Sequence, residues 1–195
     1  MQASELSPHL LLTAYSNGYF PMPENDGEIL WYRPDPRAII PLEKFHVSKS
    51  LQKHMRKHQD TITINTAFQS VMKACGDREE TWIQNDIIRV YTEMYQLGHA
   101  HSLEVWRNEH LIGGTYGLQI GGAFFAESMF HYETNASKVA LYHLTQTLTA
   151  HRFKLLECQF LTPHLASLGA IEVSDETYIN DLEKALQHQE YTPLS

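Results

Sequence analysis

Cysteine is scarce in this chain: only Cys75 and Cys158 occur among 195 residues. Two isolated thiols make neither a disulfide framework nor a zinc knuckle, and they point to a reducing compartment. Long apolar runs are missing too; none approaches the ~20 residues that a membrane-spanning helix requires. Leu10-Leu11-Leu12 is too short, and too poor in preceding basic residues, to read as a signal peptide. A cytoplasmic protein without a membrane partner is expected. There is no Gly-x-Ser-x-Gly, no Walker loop and no dinucleotide fingerprint. Twelve histidines occur, but His99-x-His101 and His54-x-x-x-His58 have no neighbouring carboxylate or cysteine to complete a ligand set, so no metal is expected. Positive charge is also short, with 15 Lys and Arg against 23 Asp and Glu. The deficit is uneven. Arg33, Arg37, Lys44, Lys49, Lys53, Arg56 and Lys57 crowd one segment that holds only Asp35 and Glu43, which permits a local phosphate-binding face on an acidic protein.

What is present is most concentrated between His101 and Phe130. Leu103, Val105, Leu111, Ile112, Tyr116, Leu118, Ile120, Phe124 and Phe125 are strand formers, and Asn108-Glu109 and Gly121-Gly122 are turn signals. Three consecutive strands are predicted. Gly113, Gly114 and Gly117 fall inside them, where glycine marks a bulge or a close approach by a ligand or another backbone. Glu127 then places a carboxylate among apolar neighbours.

Around this block the pattern predicts a short capped helix over 9–17 stopped by Gly18, a turn over 20–27 and strands over 29–32 and 38–41. Helices are expected over 48–58, 66–75 and 84–97, with a strand over 61–65 between the first two. A long helix over 137–151, a buried strand over 155–160, a helical turn over 163–168, a strand at 172–173 and a helix over 175–187 follow. The stiff Arg33-Pro34-Asp35-Pro36-Arg37 connector suggests a boundary between a small N-terminal α/β domain (1–36) and a main domain (37–195). The order fits an α+β fold: an acetyltransferase-like (GNAT-type) mixed sheet flanked by helices, in which strands splay near the middle.

Two further features could carry chemistry. Alternation along 155–160 puts Glu157 and Gln159 on one face of a core strand and Leu156, Cys158 and Phe160 on the other. A buried carboxylate and amide at that spacing need partners and suggest a lined cavity. Thr81-Trp82-Ile83 precedes a helix that carries Tyr91, an aromatic pair able to stack a nucleobase.

Several segments together resemble one family. They are Trp31 to Ala38, His46-Val47-Ser48, Thr81-Trp82-Ile83, Gly98 to Trp106, Gly113 to Gly117, Glu127 to Phe130, Ala136-Ser137-Lys138, and Glu157 to Gln159 with His164 to Ala170. The family is the bacterial leucyl/phenylalanyl-tRNA–protein transferases, and the resemblance runs through nearly the whole chain. It implies transfer of Leu, Phe or Met from aminoacyl-tRNA to the N-terminal amine of proteins beginning with Arg or Lys, marking them for degradation by the N-end rule. It implies a monomer with neither coenzyme nor metal. By resemblance, Glu127 lies near the acceptor's basic side chain, and Glu157 and Gln159 match an Asp-x-Gln pair that activates the acceptor amine. Phe124, Met129 and Leu156 match apolar walls of the aminoacyl pocket, and Thr115 takes another wall position. Trp82 and Tyr91 match aromatics near the terminal adenosine. Glu157 replaces the family's aspartate, and Met22 stands where many relatives have tryptophan.

In chemical terms, Gln159 is expected to accept a hydrogen bond from the amine while Glu157 polarises its amide. Arg33, Arg37, Lys49, Lys53, Arg56 and Lys57 are expected to hold tRNA phosphates. A coenzyme-A-dependent N-acetyltransferase of the same fold is the main alternative. It needs a glycine-containing loop at the start of the long helix, and Glu133-Thr134-Asn135-Ala136-Ser137-Lys138 has none. A non-catalytic RNA-binding module would not need three polar groups directed into one cavity.

Overall fold

A computed structural model describes residues 6–24, 28–77 and 85–194. The chain opens with α1 (Pro8–Ser16), where Ser7 caps the helix by accepting from the Leu10 N–H, and Gly18 turns the chain at φ 81°. Strands β1 (Phe20–Pro23) and β2 (Ile29–Tyr32) pair as a two-stranded antiparallel sheet. The predicted turn over 20–27 is thus partly a strand. Pro21 and Pro23 lack an N–H and are tolerated because this sheet has only edges.

The remaining strands are β3 (Arg37–Ile39), β4 (Thr61–Ile64), β5 (Ala100–Arg107), β6 (His110–Ile120), β7 (Ala123–His131), β8 (Leu155–Glu157) and β9 (Ile171–Val173). They form one seven-stranded mixed sheet in the order β4-β5-β6-β7-β8-β3-β9. β7 and β8 are parallel and the other pairs are antiparallel. The helices are α2 (Lys49–His58), α3 (Phe68–Gly76), α4 (Asn85–Gln96), α5 (Ala136–Ala150), α6 (Pro163–Ala166) and α7 (Asp175–Gln187). This is an α+β architecture with helices on both faces of a mixed sheet.

Each face builds its own core. On one side Tyr15, Phe20, Val71, Met72, Val90, Tyr91, Tyr116, Phe125 and Tyr178 join α1, α3, α4 and α7 to the sheet. On the other, Leu103, Val105, Phe124, Leu141, Leu144, Leu148 and Leu156 seat α5. The glycines of β6 serve this packing. A Cβ on Gly113 would sit 2.6 Å from the Ala136 Cβ, so the first turn of α5 crosses directly over it. A Cβ on Gly117 would lie 2.2 Å from the Phe125 carbonyl oxygen, beside a bulge in the β6–β7 register. The close approaches are therefore by helix and backbone.

Glu104 is fully buried and sequence patterning gave no hint of its role. It accepts from Thr63, from Ser102 and from the Thr66 and Ala67 N–H groups at the start of α3. A side-chain acceptor there satisfies the backbone N–H groups just ahead of the helix.

One feature of the sheet positions the site. β8 pairs with β7 only as far as Phe125↔Glu157, while β7 continues to His131. From Ala126 onward that edge of β7 is left without β8. β8 stops at Glu157 rather than running to residue 160, because Gln159 takes a left-handed conformation at φ 64°.

Candidate active site

At the point where β8 ends, three predicted residues come together. Glu127 is the bulged residue of β7, opposite the Tyr116–Gly117 step, and the bulge turns its carboxylate toward α1 and α4. Its Oε1 accepts from the Tyr15 hydroxyl at 2.5 Å, and that hydroxyl also bonds the Tyr91 hydroxyl at 2.8 Å. Its Oε2 accepts from the Gln159 side-chain amide, Nε2 to Oε2 being 3.1 Å. A tyrosine–tyrosine–carboxylate–amide chain results.

Glu157 lies on the same side of the sheet but does other work. Its Oε1 accepts from the Gln159 backbone N–H at 2.5 Å and from Arg37 Nε at 2.8 Å. The Gln159 carbonyl accepts in turn from the Ala38 N–H at 3.1 Å. A left-handed glutamine costs roughly 1–3 kcal/mol, and such conformations persist where surrounding bonds over-determine them. The side-chain amide expected to be polarised by Glu157 is instead bonded to Glu127, and Glu157 holds the backbone that aims it.

Arg37 departs most from its expected role. It is 0% exposed, as is Glu157, so it cannot reach a tRNA phosphate. Its guanidinium lies 4.7 Å from the Phe20 ring centroid and 4.5 Å from that of Tyr178, and Nη1 donates to the Gly18 carbonyl at 2.9 Å. The physical reason is pairing: the fully buried Glu157 requires a cation, and Arg37 sits one strand away in β3. Arg33 is also engaged, with a bidentate contact to Asp175. Lys49, Lys53, Arg56 and Lys57 are all exposed on α2, whose Leu51 is buried toward α5.

Burial pushes the Glu127 carboxyl up to about 8; the nearby Glu157 adds to this, while hydrogen bonds from Tyr15, Tyr91 and Gln159 oppose it. Glu157 is likewise raised by burial, with Arg37 pulling the other way. The Tyr15 and Tyr91 hydroxyls are pushed far up by burial and by Glu127, so both remain protonated donors.

The predicted apolar walls lie on the opposite face, with α5. Thr115 pairs with Met129 across β6–β7, and Phe124 pairs with Leu156 across β7–β8. The Thr115 hydroxyl donates to the Ser128 carbonyl at 2.9 Å. Met129 borders an open hollow of about 420 Å³ with Ala74, Asp77, Tyr132, Ser137 and His164. That hollow lies beside the part of β7 beyond β8. Tyr91 is 0% exposed within the core, edge-on to Tyr116. It is not a free stacking surface for a base, because α4 buries its ring against the sheet; its hydroxyl serves the Glu127 chain instead. Met22 is half-buried on β1, and Trp82 lies outside the described residues. Among the described residues no group of His, Cys, Asp and Glu is arranged to hold a metal ion, and no helix is long and apolar enough to cross a membrane.

Where β8 ends, the sheet thus carries a buried polar cluster on one face and an apolar set on the other, beside the part of β7 that β8 leaves bare. Comparison with known proteins assigns the chain to a family. The sequence profile of leucyl/phenylalanyl-tRNA protein transferase matches residues 39–183, and that of its N-terminal domain matches residues 4–35. Relatives named leucyl/phenylalanyl-tRNA–protein transferase include one from Cereibacter sphaeroides, 50% identical and covering 99% of this chain and 92% of its own. Another, from Herpetosiphon aurantiacus, is 50% identical over 93% of this chain and 95% of its own. Solved structures are more distant. L-PGS from Bacillus licheniformis covers 78% of this chain and 53% of its own at 12% identity and TM-score 0.45, and aminoglycoside N-acetyltransferase AAC(6')-Iy covers 70% and 93% at 13% identity and TM-score 0.36. The chain belongs to the leucyl/phenylalanyl-tRNA–protein transferase family and is an aminoacyltransferase.

Proposed function

We propose that this chain transfers Leu, Phe or Met from aminoacyl-tRNA to the N-terminal α-amine of proteins beginning with Arg or Lys, as a cytoplasmic monomer that marks them for degradation. The observation that carries the proposal is the bonded array Tyr91–Tyr15–Glu127–Gln159, with Glu157 fixing the Gln159 backbone.

The aminoacyl ester is already activated, so the enzyme positions two substrates and manages a proton. A free α-amine has a pKa of about 7.7–8.0, so part of it is neutral near pH 7 and needs no strong base. The amine nitrogen attacks the ester carbonyl carbon. A C–N bond forms, the C–O bond to the terminal ribose breaks, and the ribose oxygen takes up the proton that the nitrogen loses. The Gln159 carbonyl oxygen accepts from the amine N–H, and Glu127 strengthens that acceptor through the amide's other end. The acceptor's Arg or Lys side chain supplies a cation to a buried carboxyl. That pairing pulls the Glu127 pKa down and fixes the ionised form on binding.

Thr115, Phe124, Met129 and Leu156 would enclose the aminoacyl side chain. Lys49, Lys53, Arg56 and Lys57 would hold the tRNA by its phosphates, while Met22 and Trp82 would meet the terminal adenosine. The segment 1–36 would act as a small domain that delivers Tyr15 to Glu127.

Incubation with charged leucyl-tRNA and an Arg-starting peptide tests the reading. Glu127→Gln and Gln159→Ala should each abolish most transfer while tRNA affinity holds. Equal use of an Ala-starting peptide would defeat the assignment of Glu127, and acetyl transfer from coenzyme A would replace the reading altogether.

A further inference from the structure

The last residues of the described chain return to the sheet and are tied down. Tyr191 packs edge-on against Phe153 with ring centroids 5.7 Å apart. The Thr192 N–H donates to the His151 carbonyl at 2.9 Å, and the Thr192 carbonyl lies 3.0 Å from His151 Nδ1. The Leu194 N–H donates to Oε1 of the buried Gln119 at 3.1 Å. Those bonds bury Leu194 to 6% exposure, within the core that also holds Leu103, Phe124, Leu144 and Leu156.

Leu194 borders a small void with Thr115, Phe124, Leu103, Leu144, His101 and Ser102. Two of these, Thr115 and Phe124, are walls of the side-chain pocket proposed above. The void measures about 10 Å³, barely the space of one water molecule and far below that of a leucine side chain. Leu194 therefore stands directly behind two of the proposed walls and limits the space on their far side.

We infer that Leu194 is a specificity-determining residue that forms the closed end of the aminoacyl side-chain pocket and sets its depth. The inference rests on the proposed reading of Thr115 and Phe124 as pocket walls. Shortening Leu194 extends the cavity along the axis of an entering side chain, and a bulkier residue shortens it.

The test is a ratio, kcat/KM for phenylalanyl-tRNA over that for leucyl-tRNA, measured on the full chain with one Arg-starting peptide. Both substrates meet the same folded fraction, so loss of stability alone leaves the ratio unchanged. Leu194→Ala should raise it about tenfold or more, since a single methylene in an apolar pocket is worth about 10-fold to 200-fold in discrimination. Leu194→Phe should lower it. If Leu194→Ala does not fold, Leu194→Val carries the same expectation with a smaller change. A ratio within about twofold of the parent in these variants would overturn the inference. Absence of transfer from either tRNA by the parent chain would instead sink the underlying functional reading.

Discussion

Arg37→Met removes the cation of a fully buried ion pair, and its consequences separate two roles for this arginine. Arg37 and Glu157 are both 0% exposed and 2.8 Å apart. Removing one partner of such a pair leaves a buried charge uncompensated, at a cost of about 3–5 kcal/mol. For a chain of 150–250 residues each kcal/mol moves Tm by about 2–4 °C, so a fall of roughly 6–20 °C is expected. The lost donation to the Gly18 carbonyl and the two ring contacts place the expectation toward the upper half of that range. Thermal unfolding followed by circular dichroism reads the change. The double variant Arg37→Met/Glu157→Leu should recover much of it, because apolar replacement of a buried pair is often neutral or stabilising. Transfer activity should not recover with it. Gln159 would still lack the carboxylate that accepts from its backbone N–H, and its left-handed conformation would lose one of two restraints. A Tm within about 2 °C of the parent, joined to a salt-dependent loss of tRNA affinity, would refute the reasoning and return Arg37 to the phosphate-binding set.

Three further outcomes follow from the same geometry. The Glu127 pKa is raised from 4.5 to about 8, so the stability linked to it is present below pH 4.5 and is lost as pH rises through about 8. Tm should therefore fall across that window and Glu127→Gln should flatten the fall; an unchanged slope contradicts the buried carboxyl. Replacing Lys49, Lys53, Arg56 and Lys57 together with glutamine should weaken tRNA binding and flatten its salt dependence, since the slope of log K against log salt is about −0.7 to −0.9 per phosphate contact. An unaltered salt slope would exclude α2 as the phosphate face. Gly113→Ala should cost about 1–3 kcal/mol through overpacking, because its methyl would lie 2.6 Å from the Ala136 Cβ; chemical denaturation giving less than about 0.5 kcal/mol would show that α5 can move away.

Legibility in the sequence followed the range of the signal. The pattern over 175–187 predicts that helix with the bounds it has, and strand formers and turn residues alone predict the three central strands and their two turns. Those signals act between near neighbours. Alternation continues through Phe160 and predicts a strand over 155–160, whereas the chain turns at Gln159, whose N–H donates to Glu157 and whose carbonyl accepts from the Ala38 N–H. Nothing in the local pattern shows a positive φ at a glutamine. The same limit explains Arg37. Within Arg33-Pro34-Asp35-Pro36-Arg37 the two arginines look alike, and only the β3–β8 pairing decides that one is buried against Glu157 while the other meets Asp175 at the surface.

Tyr15 and Tyr91 carry that point furthest. The sequence places Tyr15 within a short capped helix and reads Tyr91 as an aromatic able to stack a base; 76 positions separate them. Their hydroxyls meet only because α1 and α4 pack against the same face of the sheet, where the β7 bulge presents Glu127. The local patterns name the helices and strands, and the resemblance names the acids. The hydrogen-bond chain that keeps a buried carboxyl in reach of a glutamine belongs to the tertiary packing, so the function of either tyrosine should respond to changes in α1 as strongly as to changes beside Glu127. Tyr15→Phe keeps the ring in the core and removes one donor to Glu127 together with the link to Tyr91. It should cost about 1–3 kcal/mol for the donor lost to a buried carboxyl and depress transfer to Arg-starting acceptors beyond the loss of folded protein; transfer per folded molecule equal to the parent's would assign the hydroxyl to packing alone.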